Sequence, residues 1–194
     1  PAHTRGHGWG AERVRIGVMT PIDRVFIIGP MGAGKTTIGR RLARRLGLGF
    51  MDLDEALEAR TGVDIPRLFD IEGEAGFRRP EAMLLDELTR CPATVLATGG
   101  GAVLDPANRE RLAARGVVVY LQTSVAAQLR RTRGSSRPLI QGEDPETRLT
   151  ELMATRGPIY ESLADVIVGT EDGNPERVAE RLADRLQQPG PVHA

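Results

Sequence analysis

The stretch Gly29-Pro-Met-Gly-Ala-Gly-Lys-Thr36 constrains this chain more than any other, because it fixes a local conformation together with its flanks. It fits the pattern G-x-x-x-x-G-K-[ST] in full, entered from the apolar run "RVFIIG" and left through "KTTIGRRLARRLG". The first run reads as a buried strand. In the second, Ile38, Leu42 and Leu46 recur every fourth residue with arginines opposite, and Gly47 marks the stop of a helix. A strand, a glycine loop and a helix in that order turn successive backbone N–H groups inward as an anion nest, and the helix N-terminus adds partial positive charge. Gly32, Ala33, Gly34, Lys35, Thr36 and Thr37 are therefore expected to bind a nucleoside triphosphate, with Lys35 at the β- and γ-phosphates and the Thr36 hydroxyl on Mg2+. Lys35 is the single lysine among 26 basic residues. A compact ammonium on a flexible stem suits a narrow backbone nest, whereas a guanidinium is wide and planar.

The remainder alternates short apolar runs with amphipathic stretches, the pattern of an α/β chain with a parallel sheet. "GFMD", "ATVLAT", "GVVVYLQ" and "DVIVG" read as strands, and "ATVLAT" and "GVVVYLQ" are apolar enough to be covered on both faces. Helices are expected over "LDEALEARTG", "SVAAQLRRT", "RLTELMATRGPIYESLA" and "NPERVAERLADRLQ", and over "IPRLFDIEGEAGFRRPEAMLLDELTR" with a break near Gly73. "RGSSRPLIQGEDPET" reads as a loop. At 194 residues the chain is long enough for one domain with a full core. Residues 1–22, crowded with Gly, His and Arg, read as an N-terminal extension expected to be disordered, with Met19 a candidate start, and 189–194 as a tail. A net charge of +0 argues against nucleic acid or a membrane surface as partner, and no apolar run approaches the roughly 20 residues of a span. The single cysteine, Cys91, fits a reducing cytoplasm.

Sites on parallel sheets lie at the C-terminal ends of the strands, which directs attention to Asp52 and Asp54 and to Gly99-Gly100-Gly101. If the chain is still extended there, Asp52 and Asp54 point in a similar direction, one toward a metal and the other toward a hydroxyl proton. The alternative is that one of them merely caps the following helix. The glycine run needs close backbone approach or a tight turn. Arg78 and Arg156 have no distinctive surroundings in the sequence.

Taken together, these segments resemble the shikimate kinase family. Arg78-x-x-Glu81, Leu85 and Val95-Leu96-Ala97-Thr98-Gly99-Gly100-Gly101-Ala102-Val103 carry its signature. "GPMGAGKTTIGRRLA" and "MDLD" precede that signature, and "RPLI" and "RGPIY" follow it, over about Asp23 to Gln188. The resemblance implies a P-loop, nucleoside-monophosphate-kinase-like fold with a five-stranded parallel sheet of order 2-3-1-4-5 and a mobile lid at about 131–146. It implies ATP-dependent phosphorylation of the 3-hydroxyl of shikimate, on the route to chorismate and the aromatic amino acids, by a cytoplasmic monomer. Asp54 would contact the shikimate hydroxyls and act as the base. Arg78 and Arg156 would hold the carboxylate, with Gly100, inside the Gly99–Gly101 run, giving backbone contact to the ring hydroxyls. Arg137 of the lid would close on the transferring phosphates, and Asp52 would support the hydrated Mg2+ on Thr36.

The chain departs from the family where an arginine usually meets adenine: "TEDGNPE" carries Asp172 and Gly173 there, which leaves Arg131 as the residue mapped to the adenine side. Two rivals stand beside this reading. A gluconate-type or nucleotide kinase of the same fold would share "GKT" but not the pairing of "FRRPE" with "GGGAV". A non-catalytic ATP-binding module would have no need of Asp54 or Arg137.

Overall fold

The computed structural model describes residues 22–132, 144–171 and 173–187. Arg137 and most of the expected lid, the N-terminal extension, Asp172 and the tail lie outside the described residues. Of the lid span, residues 131–132 complete one helix and Asp144 caps the next.

The apolar run before the phosphate loop becomes β1 (Arg24–Ile28), the central strand. It pairs in parallel with β3 (Thr94–Ala97) on one side and β4 (Val117–Gln122) on the other. Outside these lie β2 (Gly49–Asp52) against β3 and β5 (Val166–Gly169) against β4, giving the order 2-3-1-4-5. That is the expected sheet.

Strand alternation splits β1 between two cores: Val25 and Ile27 enter one face, Phe26 and Ile28 the other. The first face is covered by α1 (Lys35–Leu46) and α7 (Pro175–Gln187), through Ile38, Leu42, Val178 and Leu182. The second is covered by α2 (Leu53–Thr61), α3 (Ile65–Leu88), α4 (Pro106–Arg115) and α6 (Pro145–Leu163). A further helix, α5 (Val125–Thr132), leaves β4 and packs on α6. With every strand parallel, all five C-terminal ends open on the same edge, and both cavities described below lie there.

α3 bends at Gly73, whose φ of 66° and ψ of 179° interrupt the helix where the sequence placed a break. α4 was not anticipated. Its start is nevertheless marked: Asp105 accepts a hydrogen bond from the Ala107 N–H, and Pro106 occupies the first turn. A short 3-10 turn over Ala102–Leu104 joins the glycine run to it.

Candidate active site

Gly34 sits at the N-cap of α1 with φ 92°, a left-handed conformation that costs glycine little, and this turns the loop into the helix. The loop and the first turn of α1 line a cavity of about 360 Å3, completed by Asp52, Asp54, Thr98 and Arg131 and, at the far end, by Thr170, Gly173, Asn174, Pro175 and Val178. All six expected nucleotide-binding residues of the loop line it. Lys35 folds back over the loop, and its Nζ donates to the carbonyls of Gly29 at 2.9 Å and Pro30 at 2.8 Å. Arg131, reaching in from α5, donates to the Gly32 carbonyl at 3.1 Å and to the Thr170 hydroxyl at 3.2 Å. It therefore braces the loop against the end of β5.

Asp52 caps the following helix, one of the alternatives the sequence left, and also faces the phosphate loop. Its Oδ1 accepts from the backbone N–H of Asp54 at 3.0 Å, capping α2, while its Oδ2 accepts from the Thr36 hydroxyl at 2.6 Å. The expectation that Asp52 and Asp54 share a direction along a continuing strand is corrected. Asp52 ends β2 with φ −120° and ψ 126°, but Asp54 lies in the first turn of α2. The chain turns at Leu53, which is fully buried and pulls the backbone inward. Asp54 is directed by helix geometry, not by strand alternation.

A second cavity of about 280 Å3 adjoins the first. Buried Glu81 and Arg156 and half-buried Arg78 contribute charges, Gly99–Gly101 one wall, and Met31, Ile65, Phe69 and Phe77 an apolar surface. Phe69 and Phe77 stack with ring centroids 4.3 Å apart across the bend at Gly73. Arg78 donates to Glu81 at 2.7 Å and to Glu74 at 3.0 Å, and its guanidinium lies over the Phe77 ring. Burial pushes the Glu81 carboxyl above the ordinary glutamate range; Arg78 opposes that shift and neighbouring Asp54 adds to it. Gly99 explains itself here. A Cβ at that position would stand 2.9 Å from Glu81 Oε1 and 3.0 Å from Asp54 Oδ1.

The structure thus brings together Asp54, Arg78, Arg156 and Gly99–Gly101, which lie far apart in sequence. Sequence reasoning gave no role to Phe69, Phe77 or Met31, and took Glu81 and Tyr160 only as parts of motifs; the Tyr160 hydroxyl donates to the Gly100 carbonyl. The available signal for Tyr160 was its spacing of four from Arg156, which puts both on one helix face.

Among the described residues, Asp54 alone borders both cavities. A phosphate loop on a 2-3-1-4-5 parallel sheet, opening beside a second polar cavity, defines the class of P-loop kinases that phosphorylate small molecules. Within that class, the profile described as shikimate kinase matches residues 31–187, and the chain belongs to the shikimate kinase family. It is 59% identical over 166 residues to a shikimate kinase of Halorhodospira halophila, covering 85% of this chain and 94% of that one. It is 52% identical over 167 residues to that of Methylococcus capsulatus, covering 86% and 93%. Among solved structures it is similar to a shikimate kinase from Acinetobacter baumannii in complex with shikimate, with TM-score 0.81 and 48% identity over 83% of this chain and 90% of that one. A gluconokinase from Sinorhizobium meliloti, at 18% identity and TM-score 0.55, shares the fold.

Proposed function

We infer that this chain transfers the γ-phosphoryl group of ATP to the 3-hydroxyl of shikimate, giving shikimate 3-phosphate and ADP. The observation that carries the reading is the position of Asp54 at the junction of the two cavities. A hydroxyl held against Asp54 from the second cavity faces a triphosphate seated in the first. In our reading Asp54 orients that hydroxyl and accepts its proton as the O–P bond forms and the bond to the β-phosphate oxygen breaks. Phosphoryl transfer depends on in-line positioning and charge stabilisation more than on covalent chemistry, so the charged neighbours carry most of the rate. Lys35 would swing from the loop carbonyls onto the β- and γ-phosphates.

The second cavity has the chemistry for a carboxylated polyol. Arg78 and Arg156 offer planar forks for a carboxylate, and Gly99–Gly101 admit backbone contact to hydroxyls. Phe69 and Phe77 offer an apolar face to a carbon ring. Arg137 is proposed to close on the phosphates, and Arg131 to border the adenine.

The residues present also fit Mg2+. A hydroxyl and a carboxylate oxygen, Thr36 Oγ1 and Asp52 Oδ2, stand 2.6 Å apart at the phosphate end. Mg2+ takes few protein ligands beside waters and substrate phosphates, and no cluster of three acidic, His or Cys ligands exists among the described residues. Thr36 would hold the ion directly and Asp52 through its waters. When bound, the ion neutralises charge on the β- and γ-phosphates.

In our reading the chain works as a cytoplasmic monomer, as the family resemblance implies. The test is a coupled assay of ADP release with ATP, Mg2+ and a panel of hydroxy acids. Release is expected to depend on shikimate. Equal release with gluconate, or none with any hydroxy acid, would overturn the assignment.

A further inference from the structure

Three consecutive glycines cannot set their own conformation, since none carries a side chain and each leaves its backbone free. In this molecule all three carbonyls of the run are held from outside it. Gly99 O accepts from the Ala102 N–H at 3.2 Å and Gly101 O from the Leu104 N–H at 3.0 Å, both through the 3-10 turn. The middle carbonyl, Gly100 O, accepts from the Tyr160 hydroxyl.

Tyr160 comes from α6, one turn after Arg156, and is fully buried. Its ring stacks on Tyr120 of β4 with centroids 5.1 Å apart, so the sheet core fixes where its hydroxyl can be. The Arg156 guanidinium, one turn earlier on α6, stands near the same hydroxyl. Burial pushes the hydroxyl up to about 12, partly offset by the nearby positive charge of Arg156. Over the working range it therefore stays protonated, a donor to Gly100 O beside the Arg156 guanidinium. Tyr160 itself lines neither cavity.

We propose that Tyr160 is a positioning residue for the acceptor site, locking the Gly99–Gly101 turn in place against α6. The peptide between Gly100 and Gly101 is planar and trans, so pinning its carbonyl also fixes the Gly101 N–H on the opposite side. The inference rests on the reading above only in taking shikimate as the acceptor. Without the hydroxyl, the half-buried Gly100 O loses its side-chain donor and the middle of the turn is released, while the residues lining the nucleotide cavity are unchanged.

The test compares wild type with Tyr160→Phe, which keeps the ring and its stack. Initial rates against each substrate should show KM for shikimate raised roughly 10-fold, with KM for ATP held within about two-fold, since a lost binding contact raises KM selectively. Amide hydrogen exchange of a peptide spanning residues 99–104, measured without ligand, should be faster in the variant. A merely structural tyrosine would lower the melting temperature and leave the two KM values shifted alike; that result, or an unchanged KM for shikimate, overturns the proposal. If wild type does not turn over shikimate, the functional reading fails separately. The exchange measurement then decides alone: faster exchange supports the tyrosine lock and unchanged exchange refutes it.

Discussion

The two cavities lie on the same edge of the sheet, yet they are made in different ways. The phosphate end of the nucleotide cavity comes from one continuous stretch, residues 32–38, whose glycine loop presents backbone. The acceptor cavity is mostly side chain, drawn from α2, both arms of α3, the glycine turn and α6. The contrast follows from what each must recognise. A phosphate group is common to every nucleotide and is well met by N–H groups and a helix terminus, which any suitable loop can supply. A particular small acid needs forks, carboxylates and ring faces at set positions, and those come only from separate elements brought together by the fold.

Asp54, where the two cavities meet, is the place to break the contrast most severely. Asp54→Asn keeps the shape and the N-terminal position in α2 but removes the proton acceptor. We expect turnover to fall by about 10²–10⁴, the usual worth of a positioned general base. ATP affinity, read by calorimetry, should stay at the wild-type value because the backbone nest is intact. Wild-type turnover would place the proton acceptor elsewhere. A joint loss of ATP binding would show that the two cavities are not separable at this residue.

Lys35 tests the backbone-built side. Its ammonium fits between two loop carbonyls, at 2.9 Å from Gly29 O and 2.8 Å from Pro30 O. A guanidinium is wider and needs planar partners. Lys35→Arg should lower kcat on the order of 10²–10³-fold, as does loss of one preorganised charge donor. Its KM for shikimate should hardly change. A normal rate would mean that any cation suffices in the nest, and the single lysine would be an accident of composition.

The same contrast decides what was legible in the sequence. The phosphate loop could be read from residues alone, because its pattern is local and its strand and helix adjoin it. So could the sheet, since buried parallel strands are continuous apolar runs, and so could the bend at Gly73. Arg78 and Arg156 could not be picked out of 26 basic residues by any local signal, and only the family resemblance singled them out. Phe69 and Phe77 meet because α3 turns back at Gly73, and their stacking cannot be inferred from a helical period that is interrupted between them. α4 escaped notice because it is polar: Asn108 and Leu112 are its buried residues, too few to show a periodic apolar face. The direction of Asp54 was not legible, since strand alternation stops at Asp52, which caps the helix, and Asp54 lies two residues further on, inside α2.

The smallest effect concerns acid. A cavity built from side chains carries buried titratable groups, and Glu81 is one, held beside Arg78 with its side chain almost fully buried. Burial raises its carboxyl above the unfolded value of about 4.3. Between those two values the folded state binds more protons than the unfolded state, so stability falls as pH rises through the folded value. Surface carboxylates work in the other direction. Asp86, Glu87 and Glu176 are held below their ordinary range by hydrogen bonds from Arg115, Arg60 and Arg45 respectively, so their contribution is lost as pH falls. The Glu81 contribution must therefore be read as a difference. Urea unfolding of wild type and Glu81→Gln at steps between about pH 4 and pH 7 should show wild type losing stability relative to the variant as pH rises. A flat difference would mean that Arg78 fully offsets the burial of Glu81, and that the charges of the acceptor cavity are as well neutralised within the protein as a backbone nest would be.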